Sequence, residues 1–148
     1  MTTARLTLPQ PAEFAGRADA VPALHVTPSY QAFRILQFAF AALPIAAGLD
    51  KFLNLLTRWD QYLPGFVVNL VGENTPLVVG ALGAIEIVAG IGVALRPRVF
   101  SIVVAAWLAV IIVNLLLIPG YFDVALRDLG LLLGALALGR LSVDFARR

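Results

Sequence analysis

The hydrophobic pattern of the chain consists of a polar N-terminal segment followed by four long apolar stretches. A transmembrane helix needs about 20 mostly apolar residues, because it rises about 1.5 Å per residue and crosses roughly 30 Å of hydrocarbon. Each stretch is long enough, so the pattern predicts an all-α, polytopic membrane protein that folds as a four-transmembrane-helix bundle. The membrane domain is predicted at residues 30–143, with spans at about 31–56, 76–95, 99–118 and 121–143.

The four predicted spans differ in how many charges they carry. The third has none, and the second has only Glu86. The fourth is the least apolar, because Asp123, Arg127 and Asp128 lie near its start and its uncharged apolar part covers only residues 129–139. We still predict that it spans, since the orientation of the chain requires it.

Three segments lie outside the predicted spans. Residues 1–29 contain four prolines and no apolar run long enough for a signal peptide, so we expect a flexible cytoplasmic arm. Residues 144–148 form a short cytoplasmic tail. The loop at 57–75 holds an apolar patch at 66–71, which is too short to span. It is predicted to be interfacial or re-entrant on the outer face, where it could form the lid or floor of a site, or simply dip into the headgroups.

Basic residues are unevenly distributed between the two sides of the predicted membrane domain. With the N-terminus inside, the cytoplasmic side receives eight of the 11 lysines and arginines, counting Arg34, which can reach the interface from its helix. Only Lys51, Arg58 and Arg127 fall on the outer side. This split follows the positive-inside rule, so we predict four spans with both termini inside, in a multi-pass arrangement.

Composition supports the membrane prediction and narrows the chemistry. The 148 residues are 60% hydrophobic and 14% charged, whereas soluble domains have roughly 25% charged residues. The net charge of +2 comes without a basic stripe, so nucleic acid is excluded as a partner. There is no cysteine, and the only histidine and methionine, His25 and Met1, lie in the arm. We therefore predict no metal or haem site and no catalysis by the isolated chain; electron chemistry would need a diffusible quinone or a partner subunit.

Glu86 is the clearest candidate for a functional side chain, because it lies near the middle of the second span, where a charge is costly. Gly83 and Gly90 share its helix face, which should pack closely on a neighbouring helix. Two interpretations remain open. The carboxylate either carries a proton or accepts a hydrogen bond from a quinone-like ligand, or it is protonated or paired and ties two helices together.

A second group of charges is predicted at the outer membrane boundary. It contains Asp50 and Lys51 at the end of the first span, and Asp123, Arg127 and Asp128 at the start of the fourth. Asp123 and Arg127 can pair at i, i+4, which leaves Asp128 for Lys51 or for a ligand. The group is either a salt-bridge clasp between the first and fourth spans or a site for an anion, a quinone headgroup or a partner protein.

The weaker candidates for function or packing are Arg34, Asn114, Gly130 and Gly134. Arg34, one turn from Gln37 on the cytoplasmic side, could contact lipid phosphates or a ligand. Asn114 in the third span is expected to hydrogen-bond between helices. Gly130 and Gly134 have the GxxxG spacing in the fourth span, which suits packing within the bundle or a dimer face, so a homo-oligomer is left open.

The order of these features resembles the DoxX family of small bacterial four-helix membrane proteins. The resemblance covers residues 32–141 and is carried by Arg34, Gly48-Leu49-Asp50-Lys51, the glycine-rich segment around Glu86, Arg96-Pro97-Arg98, and Arg127-Asp128 before a last helix rich in leucine and glycine. Each motif is loose alone, and the specificity lies in their order and spacing.

The resemblance implies a place beside redox chemistry in the bacterial cytoplasmic (inner) membrane. Members include a subunit of an archaeal thiosulfate:quinone oxidoreductase and a mycobacterial protein that assembles with a superoxide dismutase and a thiosulfate sulfurtransferase. If the polar residues of the family are matched to this sequence, the polar site would consist of Arg34, Lys51, Glu86 and Asp128. The expected function is a non-catalytic or quinone-interacting membrane subunit of a redox or oxidative-stress complex, with lipid and other subunits as partners. A small proton-coupled transporter and a purely structural subunit are the alternatives.

Overall fold

The computed structural model describes residues 27–145, and this part of the chain is helical without a strand. The predicted flexible arm, except for its last three residues, and residues 146–148 of the predicted tail lie outside the described residues. The long helices are α1 (Pro28–Leu53), α3 (Thr75–Leu95), α4 (Pro97–Leu116) and α5 (Phe122–Phe145). Between α1 and α3 lie a 3₁₀ turn (Trp59–Tyr62), the short helix α2 (Gly65–Val71) and a second 3₁₀ turn (Gly72–Asn74).

Local capping sets both ends of α1. The Thr27 hydroxyl accepts a hydrogen bond from the Tyr30 amide at 3.3 Å, and Pro28 suits the first turn. The helix ends at Leu53, three residues before the predicted end at 56, because Asn54 adopts the left-handed conformation (φ 49°, ψ 43°). Asparagine tolerates this conformation well and is a common helix terminator.

Among the described residues, three helical segments are long and apolar enough to cross a membrane. They are Pro28–Leu53, Gly65–Leu95, which joins α2 to α3, and Pro97–Leu116. Large apolar side chains on their outer surfaces are exposed, which suits contact with lipid. The chain is therefore an all-helical, multi-pass membrane protein. Helix α5 is 24 residues long, but charges in its first turns (Asp123, Arg127, Asp128) and near its end (Arg140, Asp144) keep it outside this apolar set.

The bundle consists of two closely packed helix pairs, α1 with α3 and α4 with α5, and the contact between the pairs is looser. Glycines allow the close approach in the first pair. A Cβ atom added to Gly83 would lie 2.7 Å from the Gly48 carbonyl oxygen, and one added to Gly90 would lie 2.6 Å from the Ala41 carbonyl oxygen. The predicted glycine face of the second span is thus the surface that meets α1.

An apolar core joins the two pairs over one half of the bundle. It includes the buried residues Phe33, Phe40, Val93, Val104 and Leu138. At the far end of this core, the rings of Phe33, Tyr30 and Phe145 contact one another, with centroids 5.5–6.2 Å apart. The half of the bundle that contains Lys51 has no such core.

The two glycines of the GxxxG spacing have different environments. A Cβ atom on Gly134 would lie 3.0 Å from the Phe40 ring, so Gly134 packs against α1. A Cβ atom on Gly130 would meet nothing within 4 Å, and the expected shared packing face within the bundle is not formed. Gly130 is exposed on the surface of α5, outside the face that Gly134 presents to α1.

Candidate functional site

A cavity of about 430 Å³ lies between the two helix pairs, in the half of the bundle that lacks the apolar core. Its walls are mostly aliphatic and come from all four long helices. The charged or amide side chains in its lining are Lys51, Glu86, Asp128 and Asn114, and the aromatic ones besides Phe40 are Trp59, Tyr62 and Trp107. Ligand sites commonly have this composition, with an apolar surface and a few convergent polar groups.

Lys51 and Glu86 form a buried ion pair at the inner wall of the cavity. The Lys51 Nζ donates to Glu86 Oε2 at 2.6 Å, and the two side chains are 7% and 11% exposed. Gly83 makes this possible, since a Cβ atom there would lie only 3.0 Å from the Lys51 Cβ. Gly83, one turn before Glu86, therefore allows α1 and α3 to approach closely enough for the pair to form.

This pairing agrees with the structural interpretation of Glu86. Glu86 is the paired carboxylate that ties two helices together, and the tie joins α1 to α3. The clasp expected between the first and fourth spans is not formed by Lys51, which pairs with Glu86 on α3 and has no salt bridge to α5 among the described residues. Sequence spacing could not show this, since it does not give the depth of the α1 end relative to α3.

Trp59 and Asp50 complete the surroundings of the ammonium group. The Lys51 Nζ lies 3.6 Å from the centroid of the Trp59 ring, within the range of a cation–π interaction. The Asp50 carboxylate points away from the cavity and accepts hydrogen bonds from Trp59 Nε1 at 2.7 Å and from the amides of Leu55 and Leu56 at 2.9 and 3.0 Å. Asp50 therefore positions the Trp59 ring.

Asp128 is the second carboxylate in the cavity lining. In the described part of the chain it has no ion pair and no hydrogen-bond partner for its side chain. The neighbouring Arg127 points outward and pairs with Asp123 at 3.3 Å, with side chains 76% and 63% exposed. The i, i+4 pairing expected between these two residues is present, and it leaves Arg127 outside the cavity.

The segment between α1 and α3 covers the end of the cavity near Lys51. Trp59, Tyr62 and Leu63 of this segment line the cavity, and we call residues 54–63 the lid. Asn114 holds the lid, because its Nδ2 donates to the Tyr62 carbonyl oxygen at 2.8 Å. Asn114 was expected to bond between helices and instead bonds from a helix to a loop. Helix α2, which contains the apolar patch, does not line the cavity.

Arg34 lies at the opposite end of α1 from the cavity. Its Nη1 donates to Gln37 Oε1 at 3.0 Å, and Gln37 Nε2 donates to the Ala94 carbonyl oxygen at 3.1 Å. The side chain of Arg34 is exposed. Of the six predicted polar site residues, the structure brings Lys51, Glu86 and Asp128 to the cavity, places Asp50 behind it, and leaves Arg34 and Arg127 outside.

Two site residues, Trp59 and Trp107, were not predicted from the sequence. Trp107 had one signal: it lies mid-span, unlike the aromatic residues near span ends. Its Nε1 is buried and has no hydrogen-bond partner in the described residues. The only sequence feature that pointed to Trp59 was its place in the loop at 57–75. The chain contains two tryptophans, and both line the cavity.

The cavity opens sideways between helices. Leu43, Val110 and Leu131 belong to its lining, yet they are 56%, 60% and 41% exposed, so they form the rim of the opening. Leu43 lies eight residues before Lys51, or about 12 Å along the helix. The Leu43 part of the rim is thus well separated from Lys51.

The described residues contain no group of three or more His, Cys, Asp or Glu side chains arranged to hold a metal ion. Glu86 and Asp128 are the only acidic residues in the cavity lining.

A comparison with family models, curated proteins and solved structures found no match to this chain. The resemblance to DoxX proteins stays a prediction from the order of the motifs.

Proposed function

We propose that this chain is a DoxX-like membrane protein that binds a small lipophilic ligand of the quinone class inside its helical bundle. We further propose that it acts as a membrane subunit of a redox or oxidative-stress complex in the bacterial inner membrane. The observation that carries the proposal is the cavity between the helix pairs, with an ion pair and a carboxylate at the lid end and an apolar rim.

The arrangement of the cavity suits a ligand with a polar head and an apolar body. The head would lie near Lys51, Glu86 and Asp128, under the lid. The body would extend toward Leu43 and Leu131, where the opening faces the lipid. A lipophilic molecule dissolved in the bilayer could enter by this side without crossing water.

The electron chemistry is assigned to a partner. In this proposal the chain binds and orients the carrier, and a partner enzyme supplies the redox centre. The described residues provide a mostly apolar cavity with a polar end for the carrier, which are the contributions a binding subunit makes.

The proposed membrane arrangement has four spans with both termini in the cytoplasm. Helix α5, with 24 residues, is about 36 Å long and therefore sufficient to cross the hydrocarbon. Its packing against α4 and the positive-inside distribution support this arrangement. A reporter active only in the periplasm, fused after Arg148, should be silent. A strong signal would refute either the fourth span or the orientation.

Intrinsic fluorescence tests ligand binding directly, because both tryptophans line the cavity. A short-chain quinone added to the protein in nanodiscs should quench the emission in a saturable manner. Ala47→Phe fills the cavity, whereas Ala46→Phe places the same ring on the exposed side of α1. We expect loss of saturable quenching in the first variant only. Equal quenching in both variants would refute binding in this cavity.

Co-purification tests the subunit role. A tagged copy extracted from native membranes in mild detergent should bring a redox enzyme in stoichiometric amount, together with quinone in the lipid extract. Recovery of the protein alone or as a homo-oligomer would contradict the subunit role and leave ligand binding to be judged by the fluorescence experiment.

A second candidate function is a small proton-coupled transporter. The observation that favours it is Asp128, a carboxylate without a partner in the described residues and in the same cavity as the Lys51–Glu86 pair. Proteoliposomes that contain the protein would then show proton movement on addition of substrate, and Asp128→Asn would abolish it. Proton movement that persists in this variant would exclude the carboxylate as the carrier.

A further inference from the structure

The cavity lining contains more negative than positive formal charge. Three of its side chains carry formal charges when ionised: Lys51, Glu86 and Asp128. Lys51 and Glu86 balance each other at 2.6 Å. Asp128 has no cationic partner among the described residues, because the adjacent Arg127 is bound to Asp123 outside the cavity. One negative charge in an apolar site is therefore left without a counter-ion.

An uncompensated charge is costly in a site of low dielectric constant. A proton on the carboxylate removes the cost, and so does a bound cation. A neutral quinone brings no charge, so only a proton could then neutralise the carboxylate. A ligand that carries a positive charge would supply the missing counter-ion itself.

Aromatic rings in the same cavity suit a cationic head. Trp59, Tyr62 and Trp107 all contribute to the lining. Ring faces attract ammonium groups, most strongly where water is excluded. The wall already shows this preference, since the Lys51 Nζ lies 3.6 Å from the centroid of the Trp59 ring.

We propose that the cavity binds lipophilic organic cations, such as alkyl or aryl ammonium ions, with Asp128 as the counter-ion and the aromatic rings around the head. The apolar body of the cation lies along the aliphatic walls toward the opening. This inference goes beyond the proposed quinone binding, and it does not depend on it, because the two ligand classes use the same space but differ in charge.

The test compares two ligands of nearly the same shape and different charge. Benzyltrimethylammonium carries a quaternary nitrogen, and neopentylbenzene has carbon at that position. Binding of each radiolabelled ligand is measured on protein in nanodiscs, after uptake by empty nanodiscs has been subtracted. The unmodified protein should bind the cation at least about tenfold more tightly than the neutral ligand, as expected for a desolvated charge pair.

Two carboxylate variants on the same helix locate the counter-ion. Asp128→Asn should weaken cation binding by about tenfold or more and leave the neutral ligand within about twofold. Asp123→Asn removes the same charge from an exposed position and should change neither affinity. The unchanged affinity for the neutral ligand also reports that the cavity of Asp128→Asn is intact.

Several outcomes would overturn the inference. They are equal affinity of the unmodified protein for the two ligands, absence of saturable cation binding, and equal loss of cation binding in both carboxylate variants. The first two need no variant, so a folding defect cannot obscure them. Saturable quinone quenching that Ala47→Phe abolishes, without cation binding, would refute this inference while the proposed function stands.

Discussion

The buried pair between Lys51 and Glu86 allows a quantitative test of the fold. Glu86→Leu removes the carboxylate and leaves the ammonium group without its partner, at a site where the side chains are 7% and 11% exposed. Breaking a buried pair in this way costs about 3–5 kcal/mol. The Trp59 ring at 3.6 Å contacts the ammonium group in both proteins, so this cation–π contact does not offset the loss.

The expected loss of stability for Glu86→Leu is therefore roughly 3–5 kcal/mol. Glu86→Gln keeps an oxygen that accepts a hydrogen bond from the ammonium group, so it should cost about 1 kcal/mol less. The double variant Lys51→Met with Glu86→Leu replaces both charges by apolar groups of similar size and should recover most of the stability.

The free energy of unfolding can be measured by titrating the purified protein in mild detergent with sodium dodecyl sulfate and following helix content. The pair is confirmed as the source of the effect if the double variant is more stable than Glu86→Leu. Additive losses in the double variant, or no loss in Glu86→Leu, would refute the reasoning. Quinone quenching that persists in a stable Glu86→Gln protein would show that the carboxylate is structural rather than part of the ligand site.

The remaining predictions concern helix packing and the lid. Gly48→Ala should destabilise the protein by about 1–3 kcal/mol, because its Cβ would lie 2.5 Å from the Gly83 carbonyl oxygen, whereas Gly130→Ala, with nothing within 4 Å, should be neutral or stabilising in the same titration. An equal loss in both would refute the packing argument. Asp50→Asn weakens three hydrogen bonds that hold the segment after α1, including that from Trp59 Nε1, so hydrogen exchange of residues 54–62 should accelerate. Unchanged exchange there would show that the carboxylate does not hold the lid.

Sequence reasoning was effective where a property depends on one helix at a time. Span lengths follow from apolar runs, so the four long helices lie close to the predicted positions. The face of Gly83 and Gly90 follows from helical periodicity, and it is the face that meets α1. The end of α1 was displaced by three residues, because the conformation of Asn54 depends on a local turn that hydrophobicity does not report.

Properties that depend on how two helices pack against each other were harder to predict from the sequence. Lys51 was assigned to the outer boundary and Glu86 to the middle of the membrane, so a bond between them was not expected. The offset of α1 and α3 brings the two side chains together at 2.6 Å. The difference between Gly130 and Gly134 has the same origin, since the GxxxG spacing describes one helix and does not say which of its glycines a neighbouring helix contacts.

The division of the bundle into two helix pairs affects how the protein holds together. Each pair joins helices that are consecutive among the long helices of the chain, so most of the close packing is local in sequence, and low contact order favours fast assembly of each hairpin. The boundary between the hairpins is less closely packed than either hairpin is within itself. Ligand-binding regions tend to come from the least stable parts of a fold. The cavity lies at this boundary, so a bound ligand would add contacts between two hairpins that pack on each other only loosely.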